Sequence, residues 1–318
     1  MKRIRRLLRL SVLTVALCGA VVGMLPGCSP VPTPPEAGLG PTAVTHTSRF
    51  HEAIPYAAGR ALDVHAPFPE AGSTPAAAPV VVLLHGCCGD RSDLTKLSEA
   101  LAAAQLVVFN VDWAGLDADA SFPDTYEDVA CAIGFARQHA RDFGGDPKRV
   151  IVAGWSDGAM AAAAVAGAPG RLDAGGCLAD VAPVAGTVAP TAVVGIGGFY
   201  GWTVPVADTY VTSRAIRLFG GGPEEAGERW SAATPYTSLR SAPPTLLLVG
   251  TTDPLVADAR RYAEALRDAG RPVRVVAIPP DGDQTLISPR TTEGRRVVTE
   301  IAALAHDPAN QPATSHSR

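Results

Sequence analysis

The chain has 318 residues, 47% of them hydrophobic, enough to bury one large core or two modest ones, which excludes both a disordered chain and a small stapled scaffold. Its net charge of −4 conceals an asymmetry: the five charges of residues 1–27 are all basic, leaving 22 basic against 31 acidic residues beyond them. A domain with that balance offers no basic surface for phosphate, so nucleic acid is not an expected partner.

The basic cluster (Lys2, Arg3, Arg5, Arg6, Arg9) precedes an apolar run over 10–25, too short for a comfortable membrane span and shaped like a secretory signal. It ends in Leu25-Pro26-Gly27-Cys28. Residues 1–27 resemble a bacterial lipoprotein signal, cut before a cysteine that becomes lipid-modified; Leu25 and Gly27 fit that pattern and Pro26 departs from it. The resemblance implies Cys28 as mature N-terminus and lipid anchor on the outside of the cytoplasmic membrane. Ordinary secretion, with Cys28 incidental, is the alternative. Residues 28–44, with Pro30, Pro32, Pro34, Pro35 and Pro41, read as a semi-extended tether ahead of a domain over 45–306, and 307–318 as a polar tail.

Residues 48–56 and 61–66 read as two short strands around Ala57-Ala58-Gly59-Arg60, followed by a Pro/Ala/Gly linker over 67–79. Apolar strands then alternate with helices: strand 80–84, helix 94–104, strand 107–111, and helix 126–141 stopped by Gly144-Gly145-Asp146-Pro147. Strand 150–153 and an alanine-rich helix come next, then strands 192–196, 245–249 and 273–278 with helices near 255–269 and 292–305. Continuous apolar strands separated by helices predict an α/β fold, a mostly parallel central sheet with helices on both faces. Residues 201–244 break the rhythm with Trp202, Tyr210, Phe219, Trp230 and Tyr236, a Gly220-Gly221-Gly222 hinge and a short helix over 208–218. They are either a cap over a binding site or a surface excursion that packs on itself.

The strand over 150–153 feeds into Gly154-Trp155-Ser156-Asp157-Gly158 and then a helix. In that setting G-x-S-x-G is a nucleophile elbow, whose tight turn exposes the Ser156 hydroxyl above the sheet edge; the plain alternative is a tight turn with a solvated serine. His85-Gly86-Cys87-Cys88-Gly89 follows strand 80–84 where an oxyanion loop is expected, so the amides of Cys87 and Asp157 are the candidate oxyanion hole. Strand 245–249 ends in Gly250-Thr251-Thr252-Asp253-Pro254, which presents Asp253 at the same edge in the chain order Ser then Asp. Asp253 is therefore the candidate acid, with a helix N-cap as the competing role.

With Cys18 in the signal and Cys28 as anchor, four cysteines remain for the domain: Cys87, Cys88, Cys131 and Cys177. An exported protein keeps disulfides, and Cys131 on the helix before the elbow strand and Cys177 just past the elbow helix are the candidate pair, against two separate buried thiols. No His/Cys cluster has metal-ligand spacing, so neither a metal nor another cofactor is expected.

From residue 48 to 305 the chain resembles the α/β-hydrolase superfamily, and within it secreted or lipid-anchored bacterial esterases similar to feruloyl-esterase-like and dienelactone-hydrolase-like enzymes. The matching pieces are Leu62-Asp63-Val64, Val82-Leu83-Leu84-His85-Gly86, Phe143-Gly144-Gly145-Asp146-Pro147, the elbow, and Gly250-Thr251-Thr252-Asp253-Pro254. The resemblance implies a serine esterase for small carboxylic esters, with a histidine in the loop after the last strand. That loop reads Pro279-Pro280-Asp281-Gly282-Asp283-Gln284, so Gln284, or Asp283 in a register one residue away, stands where the base is expected. Glutamine takes no proton, and a carboxylate base needs a pKa raised by burial. His306 lies beyond a helix that carries it roughly 20 Å from the loop. His85, at a strand end, reads as a loop organiser. The expectation is a serine esterase with a substituted base, or a hydrolase-fold protein that binds a hydrophobic or ester-like ligand and turns it over poorly.

Overall fold

The computed structural model describes residues 48–68, 76–87, 89–116, 120–168, 177, 190–201, 209–279 and 283–307, with the backbone alone for 209–211, 283 and 284. The proposed signal, Cys28, the tether, Cys88, Trp202 and the tail beyond Asp307 lie outside them. In chain order the elements are β1 (Ser48–Ala57), β2 (Arg60–Pro67), β3 (Ala78–Leu84), α1 (Thr95–Ala103), β4 (Val107–Val111), α2 (Asp124–His139), β5 (Gly145–Trp155) and α3 (Asp157–Gly167). They continue with β6 (Ala192–Ile196), α4 (Thr209–Phe219), α5 (Gly227–Ala232), β7 (Thr245–Gly250), α6 (Val256–Asp268), β8 (Val273–Ile278), α7 (Asp283–Leu286) and α8 (Thr292–His306).

The strands form one sheet in the order β1-β2-β4-β3-β5-β6-β7-β8. Neighbours from β4 to β8 run parallel, while β1 and β2 join antiparallel at one edge. Alternation along β3 explains the layering. Val80, Val82 and Leu84 pack with Val129 and Ile133 of α2, Ala159 of α3 and Tyr262 and Leu266 of α6. Val81 and Leu83 turn the other way, into a cluster with Leu97 and Leu101 of α1 and Val297, Ile301 and Leu304 of α8. A strand with apolar residues on both sides needs a helix layer on each, and the chain supplies both.

Register places the site. Leu84 pairs with Val111 on one side and Gly154 on the other, and Gly154 pairs in turn with Gly195. The chain therefore leaves β3, β4 and β5 at one level, which sets His85-Gly86, Asp112 and Ser156 side by side. This is the carboxyl edge of the parallel strands, where open α/β sheets bind ligands.

Two elements differ from the sequence reading. Gly144-Gly145-Asp146-Pro147 is not wholly a stop, because β5 begins at Gly145, which pairs with Ala78. The short helix α7 was not expected; it packs against β7 and α8. Within 201–244 the described part packs on α2 and the turn before it. Phe219 lies 5.6 Å from Phe122 and 4.7 Å from Trp230 by ring centroids, and the Tyr126 hydroxyl donates to the Ala233 carbonyl at 3.0 Å. The expected disulfide between Cys131 and Cys177 is present, and Cys177 also bridges Ala57 of β1. Among the described residues no helix is long and apolar enough to cross a membrane.

Candidate active site

Ser156 occupies the corner between β5 and α3 with φ 56° and ψ −121°, a conformation that a non-glycine residue adopts only when its surroundings enforce it. The surroundings are the two motif glycines. A Cβ on Gly154 would run into the Gly158 carbonyl, and one on Gly158 would lie 2.5 Å from the His85 carbonyl oxygen. The corner is tied to the sheet by the Ser156 amide, which donates to the Ile196 carbonyl at 3.0 Å. Ser156 is partly buried, and α3 behind it is wholly buried. The amides of the first turn of α3, Asp157 foremost, point along the axis toward the corner, where the helix dipole favours negative charge.

The loop after β3 reaches the same corner. A Cβ on Gly86 would stand 3.0 Å from the Ser156 Cβ and 3.1 Å from the Trp155 ring, so glycine is what lets this loop approach the serine. The Cys87 amide, the candidate oxyanion donor, donates to Oδ1 of Asp157. The Asp157 side chain is buried. One of the two expected oxyanion donors thus already has an anionic acceptor.

His85 stands beneath this loop with its ring 2% exposed. Its Nδ1 lies 2.9 Å from the Gly86 carbonyl oxygen, and its Nε2 is 3.6 Å from Oδ1 of Asp112, an ion-pair rather than hydrogen-bond distance. Arg91 extends the chain of charges: its Nη1 donates to Oδ2 of Asp112 at 2.9 Å, and its Nε lies 3.0 Å from Oδ2 of Asp63. Burial pulls the His85 pKa down, but Asp112, the Gly86 carbonyl and Asp157 outweigh it and the net shift is upward. Asp112 is held below its ordinary value by the His85 contact, with burial opposing and Arg91 assisting. His85 thus turns Nδ1 toward the Gly86 carbonyl oxygen and Nε2 toward the Asp112 carboxylate.

Asp253 sits in the turn after β7, 4% exposed. The turn is anchored by the Thr251 amide, which donates to the Ile278 carbonyl at 3.3 Å. Oδ1 of Asp253 accepts from the Leu255 amide at 2.8 Å, a bond within the turn; the N-cap of α6 is Leu255, with no side-chain cap, so Asp253 does not take the helix N-cap role that competes for it in the sequence. The other, Oδ2, has no hydrogen-bond partner among the described residues. Burial raises the Asp253 pKa, and the Leu255 amide partly offsets that. Only β6 separates β7 from β5, so at about 4.8 Å per strand the two turns stand roughly 10 Å apart.

Asp283 and Gln284 open α7, beyond the end of β8; their side chains lie outside the described residues. His306 ends α8, with Nε2 2.9 Å from the Ala104 carbonyl oxygen just after α1, at the opposite end of the strands from Ser156. The structure therefore gathers Ser156, Asp157, Cys87 and His85 at one corner, with Asp253 two strands away on the same edge. Among the described residues no three His, Cys, Asp or Glu side chains form a metal-binding group. The side-chain role of Asp157 and the Asp63–Arg91–Asp112 series were not read from the sequence. Asp157 had a signal, the second variable position of the elbow motif; Arg91 had none.

Comparison with known proteins gives the following. The BD-FAE family model matches residues 62–266, from β2 into α6, and stops short of β8 and the loop expected to carry the base. Esterase LipQ of Mycobacterium tuberculosis is 29% identical over 193 residues, 57% of this chain and 43% of the relative, so the chain spans less than half the length of that curated relative. The thermophilic esterase Est2 of Thermogutta terrifontis, solved with propionate bound, has a TM-score of 0.62 at 16% identity, covering 84% of this chain and 96% of that one. A truncated carbohydrate esterase from gut microbiota reaches 0.63 at 17% identity over 82% and 96% of the two chains. Carboxyl esterase 2 of Tuber melanosporum reaches 0.63 at 15% identity over 86% and 91%. At these identities the structures share the fold.

Proposed function

Because the chain belongs to the BD-FAE family of α/β-hydrolases, we propose that it is a carboxylic-ester hydrolase with Ser156 as its nucleophile. The observation that carries this reading is the backbone of Ser156, held at φ 56° between two glycines that have no room for a side chain. Strain of that kind is maintained where an exposed hydroxyl is needed. In the proposed reaction the Ser156 oxygen attacks the ester carbonyl, whose oxygen takes up negative charge facing the Asp157 and Cys87 amides; collapse breaks the C–O bond, the alkoxide leaves as alcohol with the serine proton, and water then hydrolyses the acyl-serine to the free acid and restores the Ser156 hydroxyl. Asp253, buried and with one oxygen unpartnered among the described residues, is the proposed acid. Short acyl groups suit the reading, since Thermogutta terrifontis esterase 2 is described with propionate, with butyrate and phosphonylated by sarin.

Gln284 at the base position sets the rate we expect. Loss of the base in a triad lowers turnover by roughly four to six orders of magnitude, leaving what binding and the oxyanion site supply. The proposed enzyme is therefore slow. With a short-chain nitrophenyl ester, the wild type should show saturable turnover that disappears in Ser156→Ala and rises at least about 100-fold in Gln284→His. Turnover untouched by Ser156→Ala would overturn the reading.

The engagement of the Cys87 amide by Asp157 favours a second reading, a protein that binds an ester-like or hydrophobic ligand without turning it over. It expects ligand binding with no turnover in either the wild type or Gln284→His. We further propose that Cys28 anchors the protein to the membrane outside the cytoplasm; Cys28→Ala should release it, and unchanged membrane association would contradict the anchor.

A further inference from the structure

The Cys87 amide carries one proton, and that proton is directed at Oδ1 of Asp157. The acceptor belongs to the residue directly after Ser156, is 1% exposed, and contributes to the field that raises the pKa of His85. A proton shared with a carboxylate is not fully available to a second acceptor. A second negative charge developing beside the first, in a site shielded from water, is also opposed by direct repulsion. Two independent effects, one geometric and one electrostatic, therefore act against an oxyanion at this corner.

We propose that Asp157 is a positioning residue that sets how much negative charge the site can hold, by competing with the substrate oxygen for the Cys87 amide. The proposal rests on Ser156 being the nucleophile. It makes the carboxylate an internal occupant of the oxyanion site: a neutral carbonyl enters beside it, and a tetrahedral oxyanion forms at full strength only when Asp157 gives up the amide. The site accordingly holds neutral ester-like ligands in preference to anionic ones.

Phenylboronic acid tests this without needing a catalytic base. The Ser156 oxygen adds to trigonal boron, the hydroxyl proton passes to solvent, and the product is a tetrahedral boronate anion with an oxygen facing the Cys87 and Asp157 amides. Its dissociation constant is measured by calorimetry at one pH for the wild type, Ser156→Ala, Asp157→Asn and Asp157→Ala. One oxyanion donor is typically worth 10²–10³, so Asp157→Ala should bind about 100-fold more tightly than the wild type. Asp157→Asn, which keeps an acceptor oxygen and loses the charge, should fall between them at about 10-fold. A merely structural Asp157 would weaken binding or leave it unchanged, so tightening is the discriminating readout.

Equal or weaker binding in both Asp157 variants, with melting temperatures within a few degrees of the wild type, would overturn the proposal. If Asp157→Ala does not fold, the isosteric Asp157→Asn decides. Binding that survives Ser156→Ala, or no binding in any variant, removes the nucleophile reading and this proposal with it. Binding lost in Ser156→Ala yet equal across the Asp157 series removes this proposal alone.

Discussion

His85 faces an acceptor on each side, the Gly86 carbonyl oxygen 2.9 Å from Nδ1 and the Asp112 carboxylate 3.6 Å from Nε2. A neutral imidazole can donate to one of them and must turn a lone pair toward the other; the imidazolium satisfies both. The pKa of His85 is raised, so its share of stability is fully present below its ordinary value, about 6.5, and is lost as pH climbs through the raised value. Asp112 is lowered, so its share is present above about 3.8 and is lost as pH falls through the lowered value. The pair therefore contributes most between those limits. Urea unfolding at pH 6 and pH 9 should show the wild type losing more stability than His85→Gln does, by about 1–2 kcal/mol, a range kept low because Asp112 is partly exposed. Equal losses would show that His85 is not charged in the fold.

Asp253 should be costly to the fold. Its pKa is raised by burial, so ionisation at neutral pH disfavours the native state, and that cost vanishes only as pH falls toward the ordinary carboxylate value. Asp253→Asn should raise stability at pH 7 by about 1 kcal/mol and, in a Gln284→His background that has a base to orient, lower ester turnover by at least about 100-fold. Thermal melts and initial rates check the two halves. Lower stability with unchanged turnover in the Gln284→His background would leave Asp253 only its bond within the turn.

Gly154 and Gly158 offer a steric test. A methyl group at Gly154 meets backbone rather than a movable side chain, so the corner must open. Gly154→Ala should cost about 3 kcal/mol or more and abolish reaction at Ser156. Gly227→Ala, with nothing near its added carbon, should change stability by less than about 1 kcal/mol. Denaturant titration of the two variants makes the comparison; similar costs would contradict the packing of the elbow.

The disulfide between Cys131 and Cys177 closes 46 residues of chain that include β5 and α3. Loop entropy for that separation is roughly 4 kcal/mol, and measured gains usually fall below such values. Reduction, or the double substitution Cys131→Ala with Cys177→Ala, should lower stability by about 2–4 kcal/mol. Melting with and without reductant measures it, and coincident curves would mean that the bond is not formed.

The elbow was legible because its signal is local: a β-forming run, a glycine-flanked serine and an alanine-rich helix fall within one stretch of chain. The sheet followed from continuous apolar strands, which have few alternatives to burial on both faces. What escaped was set by tertiary contact. Gly145 reads as a turn residue, yet pairing with Ala78 draws it into β5. The helix Asp283–Leu286 spans too few residues to show a period. Arg91 reaches Asp63 and Asp112, which are far from it in the chain, so no spacing rule could link the three. The partner of the Cys87 amide depends on how Asp157 turns, which a motif does not state.

The most direct test of the account is the rate of labelling by a fluorophosphonate, followed by intact mass and peptide mapping, in the wild type, Ser156→Ala and Gln284→His. The account predicts slow formation of a single adduct on Ser156 in the wild type, none in Ser156→Ala, and labelling at least about 100-fold faster in Gln284→His. Labelling of Ser156→Ala at the wild-type rate, or a folded Gln284→His that labels no faster, would contradict it.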